Sequence, residues 1–116
     1  MTKPPVPPNA PVALPSPVAA YVEATNNLDL ERLLDTFAED ALVNDQLRDY
    51  WGKSAIREWA KHDIIGESLT MNVTKVINHY GNFIATANVD GNYDKRGLPD
   101  PLVLAFYFTE IGRAHV

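Results

Sequence analysis

The chain has 116 residues, a formal net charge of −5 and 46% hydrophobic residues, and it contains no cysteine. This length fits one domain that can bury a core of its own. The lack of cysteine excludes disulfides, thiolate nucleophiles and thiolate metal ligands. The acidic balance argues against nucleic-acid binding, because a phosphate backbone is held by clustered lysine and arginine side chains.

Prolines dominate the first 15 residues, with four of them between residues 4 and 8. A signal peptide would need an apolar run there, so we expect no export signal and a cytoplasmic location. Prolines also fix φ and remove backbone donors, which predicts an extended or disordered leader over residues 1–15. Alternatively, the leader is a ligand for a domain that binds proline-rich segments. The longest apolar run, residues 102–108, suits a buried strand and is too short for a membrane-spanning helix.

Three stretches between residues 16 and 64 have helical periodicity, because apolar side chains recur in them at spacings of three and four. Ser16, Asp29 and Ser54 are predicted to cap these helices at their N-termini. Between the second and third helices, residues 41–45 (ALVND) are predicted to form a short strand. Residues 46–50 are predicted to form a loop or an irregular return.

The second half of the chain alternates with period two, which predicts strands. The inward positions of the first of these strands are predicted to be Leu69, Met71, Val73 and Ile77. Gly81–Asn82 is predicted as a hairpin turn, residues 83–93 as the returning strand, and residues 102–109 as a central strand. Helices followed by consecutive antiparallel strands indicate an α+β fold with the helices on one face of the sheet.

The stretch from Tyr21 to Trp59 resembles the front half of domains of the nuclear transport factor 2-like superfamily, and in particular the SnoaL-like domains. Among these are polyketide cyclases and ketosteroid isomerases. The resemblance rests on the helix–helix–strand order, on the sequence segment FAEDALVND at residues 37–45, and on the spacing of 24 positions between Tyr21 and Asp45. It extends over residues 17–110. It implies a cone with a curved mixed or antiparallel sheet, three helices on the concave face, an apolar pocket between them, and pairing into homodimers.

The last six residues, IGRAHV, resemble one reading frame of a sequencing adapter. The superfamily has a glycine-rich hairpin and a final strand at this place. We therefore expect the SnoaL-like domain to cover residues 16–110, residues 111–116 to be a non-native tail, and the last strand to be missing. A natural short terminus is the alternative.

Tyr21 and Asp45 match two functional positions of the ketosteroid isomerases. The resemblance implies that the tyrosine donates a hydrogen bond to the substrate oxyanion and that the aspartate transfers the proton. A carboxylate beside an apolar pocket is a usable base, because it loses solvation there. The isomerases carry a second, protonated aspartic acid on a late strand, where this chain has Leu104, so steroid isomerase activity as such is not expected. Alternatively, Tyr21 is a core tyrosine and Asp45 a turn residue.

Other candidates for the pocket follow from their places along the predicted elements: Phe37, Asn44, Tyr50, Trp59, Leu104 and Phe106. Asp90 and Asp100 are secondary candidates for the base, although a solvated strand face and a turn explain them more simply. The histidines lack the spacing of metal ligands, and no phosphate-binding glycine motif is present. We therefore predict no metal and no cofactor.

The sequence predicts a SnoaL-like domain with an apolar pocket that binds a small apolar organic ligand. If the protein is an enzyme, it is a cofactor-independent isomerase, cyclase, dehydratase or hydrolase, with Asp45 as the base and Tyr21 as the electrophilic partner. The alternative is a non-catalytic ligand-binding or dimerisation module of the same fold.

Overall fold

A computed structural model describes residues 13–109 and the backbone of residues 114–115. Most of the predicted leader and the greater part of the predicted tail therefore lie outside the described residues. Within the described part of the chain, helices precede the three long strands, which confirms the α+β class. The elements are α1 Ser16–Asn26, α2 Leu30–Asp35, β1 Leu42–Asp45, β2 Arg48–Trp51, α3 Gly52–Trp59, a π-helical turn Ala60–Ile65, β3 Thr70–His79, β4 Asn82–Asp90, β5 Leu102–Phe108 and β6 Ala114–His115.

One mixed sheet holds the described strands in the order β2-β1-β6-β5-β4-β3. Neighbouring strands are antiparallel, except that β6 runs parallel to β1. The expectation that no strand follows β5 is corrected by β6. This strand has only two residues, but it pairs with both β5 and β1 and so joins the β1–β2 hairpin to the long strands. Extended backbone at that place satisfies donors and acceptors that would otherwise stay unpaired.

The helices cover one face of the sheet, and the core lies between them. Val18 and Tyr21 from α1 and Ile56 and Trp59 from α3 are buried against inward side chains of the long strands. The inward residues from β3, β4 and β5 are Met71, Val73, Ala85, Ala87, Val89, Phe106 and Phe108. On the opposite face of the sheet, large side chains such as Val103 and Tyr107 are exposed.

The helix starts differ in part from the sequence prediction. Asp29 caps α2 as predicted, because its carboxylate accepts a hydrogen bond from Arg32 N at 3.1 Å. Ser16 already lies inside α1, whose N-cap is Pro15, and Ser54 lies inside α3. Helix α3 begins earlier because it follows β2 directly through Gly52, which has a φ of 79° that suits glycine.

Residues 46–50 form a hairpin rather than a loop. Gln46 and Leu47 both have positive φ, at 50° and 68°, as a two-residue turn requires. The turn sets Arg48 opposite Asp45, and the returning strand β2 continues to Trp51. Because the turn contains neither asparagine nor glycine, the sequence gives no hairpin signal there.

Strand β3 contains a bulge between Val73 and Lys75 that changes the predicted inward face. Met71 and Val73 are buried as predicted, but beyond the bulge the register moves by one residue, and Ile77 is exposed while Val76 packs against the core. The hairpin after β3 also turns one residue earlier than predicted. Its turn residues are Tyr80 and Gly81, which have positive φ.

Asn26, the last residue of α1, holds the outer edge of β3. Its side-chain Nδ2 donates to the Met71 carbonyl at 2.9 Å, and the Met71 N–H donates to Asn26 Oδ1 at 2.8 Å. An amide side chain thus pairs with this edge strand as a neighbouring strand would. The contact fixes the end of α1 against the sheet.

We expect Asn26→Ala to lower the free energy of unfolding by about 1–3 kcal/mol, because two backbone groups of Met71 lose their partners. The neighbouring variant Asn27→Ala is the control, since the Asn27 side chain makes no hydrogen bond among the described residues. Urea unfolding of both variants measures the difference. Equal midpoints for the two variants would show that the Asn26 bridge does not stabilise the fold.

Candidate functional site

A cleft of about 620 Å³ opens between the β1–β2 hairpin, the end of α3, β5 and the loop that follows β4. Five of the residues expected at the pocket line it: Asp45, Tyr50, Trp59, Leu104 and Phe106. Asp45 ends β1 and is half-buried, while Leu104 and Phe106 face inward from β5. The cleft therefore combines apolar side chains with charged ones, as a site that orients a small molecule requires.

Asp45 is held by a direct hydrogen bond from Trp59. The indole Nε1 donates to Asp45 Oδ2 at 3.0 Å. Trp59 is the last residue of α3 and is only 2% exposed. Its ring meets Phe37 edge-on, with 6.5 Å between centroids, and lies tilted against Tyr50 at 6.2 Å. The aromatic contacts fix the indole, and the indole in turn fixes one carboxylate oxygen.

Tyr21 lies behind this wall and does not line the cleft. Its ring is 2% exposed and packs against Phe108, Phe37 and Phe106, with centroid distances of 5.1, 6.1 and 6.3 Å. Among the described residues its hydroxyl makes no hydrogen bond. The buried Thr25 hydroxyl nearby makes none either.

Burial raises the pKa of Tyr21 far above its usual 10.0, and the negative charge of Asp45 raises that pKa further. The charge of Asp45 thus affects the pKa of Tyr21, which lies on the core side of Asp45. The cleft reaches Asp45 from the other side.

The raised pKa of Tyr21 predicts a loss of stability in alkali. Above pH 10 the unfolded chain releases the phenol proton while the folded protein keeps it, so unfolding is favoured as the pH rises, by up to about 1.4 kcal/mol per pH unit. Denaturant unfolding between pH 9 and 12 measures this slope, and Tyr21→Phe should reduce it. Tyr80→Phe, at a residue that is 93% exposed, is the control. Parallel curves for wild type and Tyr21→Phe would contradict the prediction.

The structure separates the remaining candidates from the cleft. Phe37 is buried in the core behind Trp59. Asn44 does not line the cleft, and its Nδ2 donates to Asp49 Oδ1 across the hairpin at 2.7 Å. Consecutive strand residues point to opposite faces, so Asn44 and Asp45 cannot both line it.

Asp90 and Asp100 lie in a second cleft of about 620 Å³, lined on its polar side by Asn72 and Asn88. Lys95 Nζ lies 2.6 Å from Asp90 Oδ1, and this contact lowers the pKa of Asp90. Neither carboxylate lines the cleft that holds Asp45. The secondary candidates for the base are thus apart from the primary one.

The cleft also has lining residues that the sequence did not suggest. Asp63 and Ile64 come from the π-helical turn, Glu67 from the segment before β3, and Tyr93 and Leu98 from the loop after β4. The Tyr93 hydroxyl donates to the Val89 carbonyl at 3.1 Å, which ties this loop to the end of β4. The only sequence signal was that Tyr93 ends the period-two run. The π-helical turn has no signature of its own.

Within residues 13–109, no group of three histidine or acidic side chains is arranged to hold a metal ion. Over the same range, no helix is long and apolar enough to cross a membrane.

No family model matches the chain, and no curated protein matches it either. Solved structures do match. A candidate polyketide cyclase from Sinorhizobium meliloti is 26% identical with a TM-score of 0.77, over 88% of this chain and 94% of that one. A ketosteroid isomerase-like protein from Catenulispora acidiphila, in complex with trimethylamine, is 21% identical with a TM-score of 0.68, over 89% and 85%.

RV0760c from Mycobacterium tuberculosis, in complex with estradiol-17beta-hemisuccinate, is 12% identical with a TM-score of 0.67, over 86% of this chain and 88% of that one. These structures share the α+β fold of this chain. The chain has the fold of the nuclear transport factor 2-like superfamily, and its structural neighbours include a candidate polyketide cyclase and a protein of ketosteroid isomerase-like fold.

Proposed function

We propose that the cleft binds a small, mostly apolar organic molecule and that Asp45 is the polar group that contacts it. The observation that carries this proposal is a half-buried carboxylate on the wall of a 620 Å³ cleft, beside Trp59 and Phe106. One carboxylate oxygen accepts from Trp59, which leaves the other oxygen to accept a hydrogen bond or a proton from a ligand.

Structural neighbours support this ligand class. The mycobacterial neighbour is in complex with a steroid hemisuccinate, whose apolar ring system is the relevant part here, and the Catenulispora neighbour with trimethylamine. Asp63 and Glu67 also line the cleft, and neither forms an ion pair among the described residues. Within the apolar class, these carboxylates favour ligands that carry a hydrogen-bond donor or a positive charge over anionic ones.

As an enzyme, the protein would carry out proton transfer without a cofactor, in an isomerisation, cyclisation, dehydration or hydrolysis. Asp45 is then the base. Tyr21 is separated from the cleft by its aromatic neighbours and would act on Asp45 rather than on the ligand. Tyr50 lines the cleft and is the tyrosine that can contact a ligand directly.

The second candidate is a binding module without turnover. Leu104 supports it, because an apolar side chain faces the cleft where the isomerases have a second acid. The exposed outer face of the sheet, with Ile77, Val103 and Tyr107, supports pairing into a homodimer. Sedimentation analysis tests the pairing.

The absence of cysteine fits a reducing compartment, and we propose a cytoplasmic location.

A thermal-shift screen with steroid, polycyclic and terpenoid compounds, each with and without an amine, tests the proposed binding. A ligand at about one hundred times its Kd should stabilise the protein by about 2.7 kcal/mol, which raises Tm by roughly 10 °C. Leu104→Trp should weaken the response strongly, because the larger side chain takes ligand space on the apolar wall of the cleft. Val103→Trp changes the neighbouring residue on the outer face and should leave it intact. An equal response in both variants would place binding outside this cleft.

A further inference from the structure

We infer that Trp59 is a positioning residue that fixes the Asp45 carboxylate and directs its free oxygen toward the ligand. The indole N–H is a donor only, and its partner is Asp45 Oδ2 at 3.0 Å. Hydrogen bonds to an ionised carboxylate are roughly twice as strong as neutral ones. The bond therefore restrains the rotation of a side chain that stands at the very end of a strand.

The surroundings of Trp59 leave the indole little freedom. The side chain is 2% exposed and is held between Phe37 and Tyr50. A donor buried this deeply is costly without an acceptor, so the bond to Asp45 is needed for the indole as well as for the carboxylate. The two side chains thus fix each other across the wall of the cleft.

The backbone changes its helical form directly after Trp59. Helix α3 ends at this residue, and the π-helical turn Ala60–Ile65 follows. Such turns are rare and occur frequently at functional sites. With its wider period, this turn brings Asp63 and Ile64 to the cleft together with Trp59. The π-helical turn therefore contributes side chains to the same wall of the cleft as Asp45.

NMR resonances of the indole N–H groups of Trp51 and Trp59 test the contact between Trp59 and Asp45 without any ligand. The Trp59 resonance should move as Asp45 takes up a proton on acidification, and Asp45→Asn should abolish that movement. Other titratable groups lie around Asp45 and are unchanged in this variant, so they are controlled for: Tyr21, Arg48, Tyr50, Asp63, Glu67 and Asp94. The same pH dependence of the Trp59 resonance in wild type and Asp45→Asn would overturn the inference.

The second measurement rests on the proposed function and uses a ligand from the thermal-shift screen. Trp59→Phe keeps an aromatic ring but removes the donor, and it should weaken binding by about tenfold and move the pH profile of binding. Trp51→Phe changes the indole outside the cleft and should alter neither. An unchanged pH profile in a folded Trp59→Phe protein would contradict a positioning role. If no compound binds, the proposed function fails while the indole titration still decides the contact.

Discussion

Replacing Phe106 by alanine is expected to lower the free energy of unfolding by about 3–5 kcal/mol. Phe106 is 2% exposed, and its ring lies 6.3 Å from that of Tyr21 on one side while it lines the cleft on the other. Its removal joins the cleft to the core and takes one aromatic contact from Tyr21. Because domains of this size are stable by only about 5–15 kcal/mol, a loss of this size is a large part of the total.

The adjacent residue provides the control for Phe106→Ala. Tyr107 is on the same strand but points to the outer face and is 46% exposed. Tyr107→Ala removes an aromatic ring of similar size without opening the core, so we expect a loss of about 1 kcal/mol or less. Guanidinium unfolding of both variants gives the comparison. Equal losses would show that the inward face of β5 is not the core face.

Replacing Asp45 by asparagine is expected to reduce any turnover by about 10²–10⁴-fold, because the amide cannot accept a proton. The fold should persist, since the asparagine oxygen can still accept from the Trp59 indole. Binding of a ligand that donates to Asp45 should weaken by about tenfold, as when a charged acceptor is lost.

Asp49→Asn is the matched control for Asp45→Asn. Asp49 lies on the same hairpin, but it contacts Asn44 and does not line the cleft. Its replacement should change neither rate nor affinity. If Asp45→Asn retained the full rate, Asp45 would not be the base. The role would then pass to Asp63 or Glu67, which also line the cleft, or the binding module would be the better description.

Local sequence signals were sufficient for most of the fold. Helical spacing and the Asp29 cap predicted the helices of the first half, and alternation predicted the long strands. Strand β2 was missed because its turn uses Gln46 and Leu47 instead of glycine or asparagine. The inward face of β3 was assigned correctly only up to the bulge, because one extra residue reverses every later side chain.

The site was less predictable than the fold, because long-range packing decides it. The spacing of Tyr21 and Asp45, together with the family resemblance, predicts that both point into one cavity, but of the two only Asp45 lines the cleft. The spacing cannot show that aromatic rings separate Tyr21 from the cleft. The hydrogen bond from Trp59 to Asp45 depends on how α3 packs against β1. No sequence pattern within either element predicts that contact.

A crystal structure of the protein with a ligand from the thermal-shift screen tests the central claim most directly. We expect the ligand to lie in the cleft against Trp59 and Leu104, with a polar atom about 3 Å from the Asp45 oxygen that Trp59 does not hold. A ligand bound instead in the second cleft, beside Asn72 and Asn88, would contradict the assignment of this site and the role of Asp45 in it.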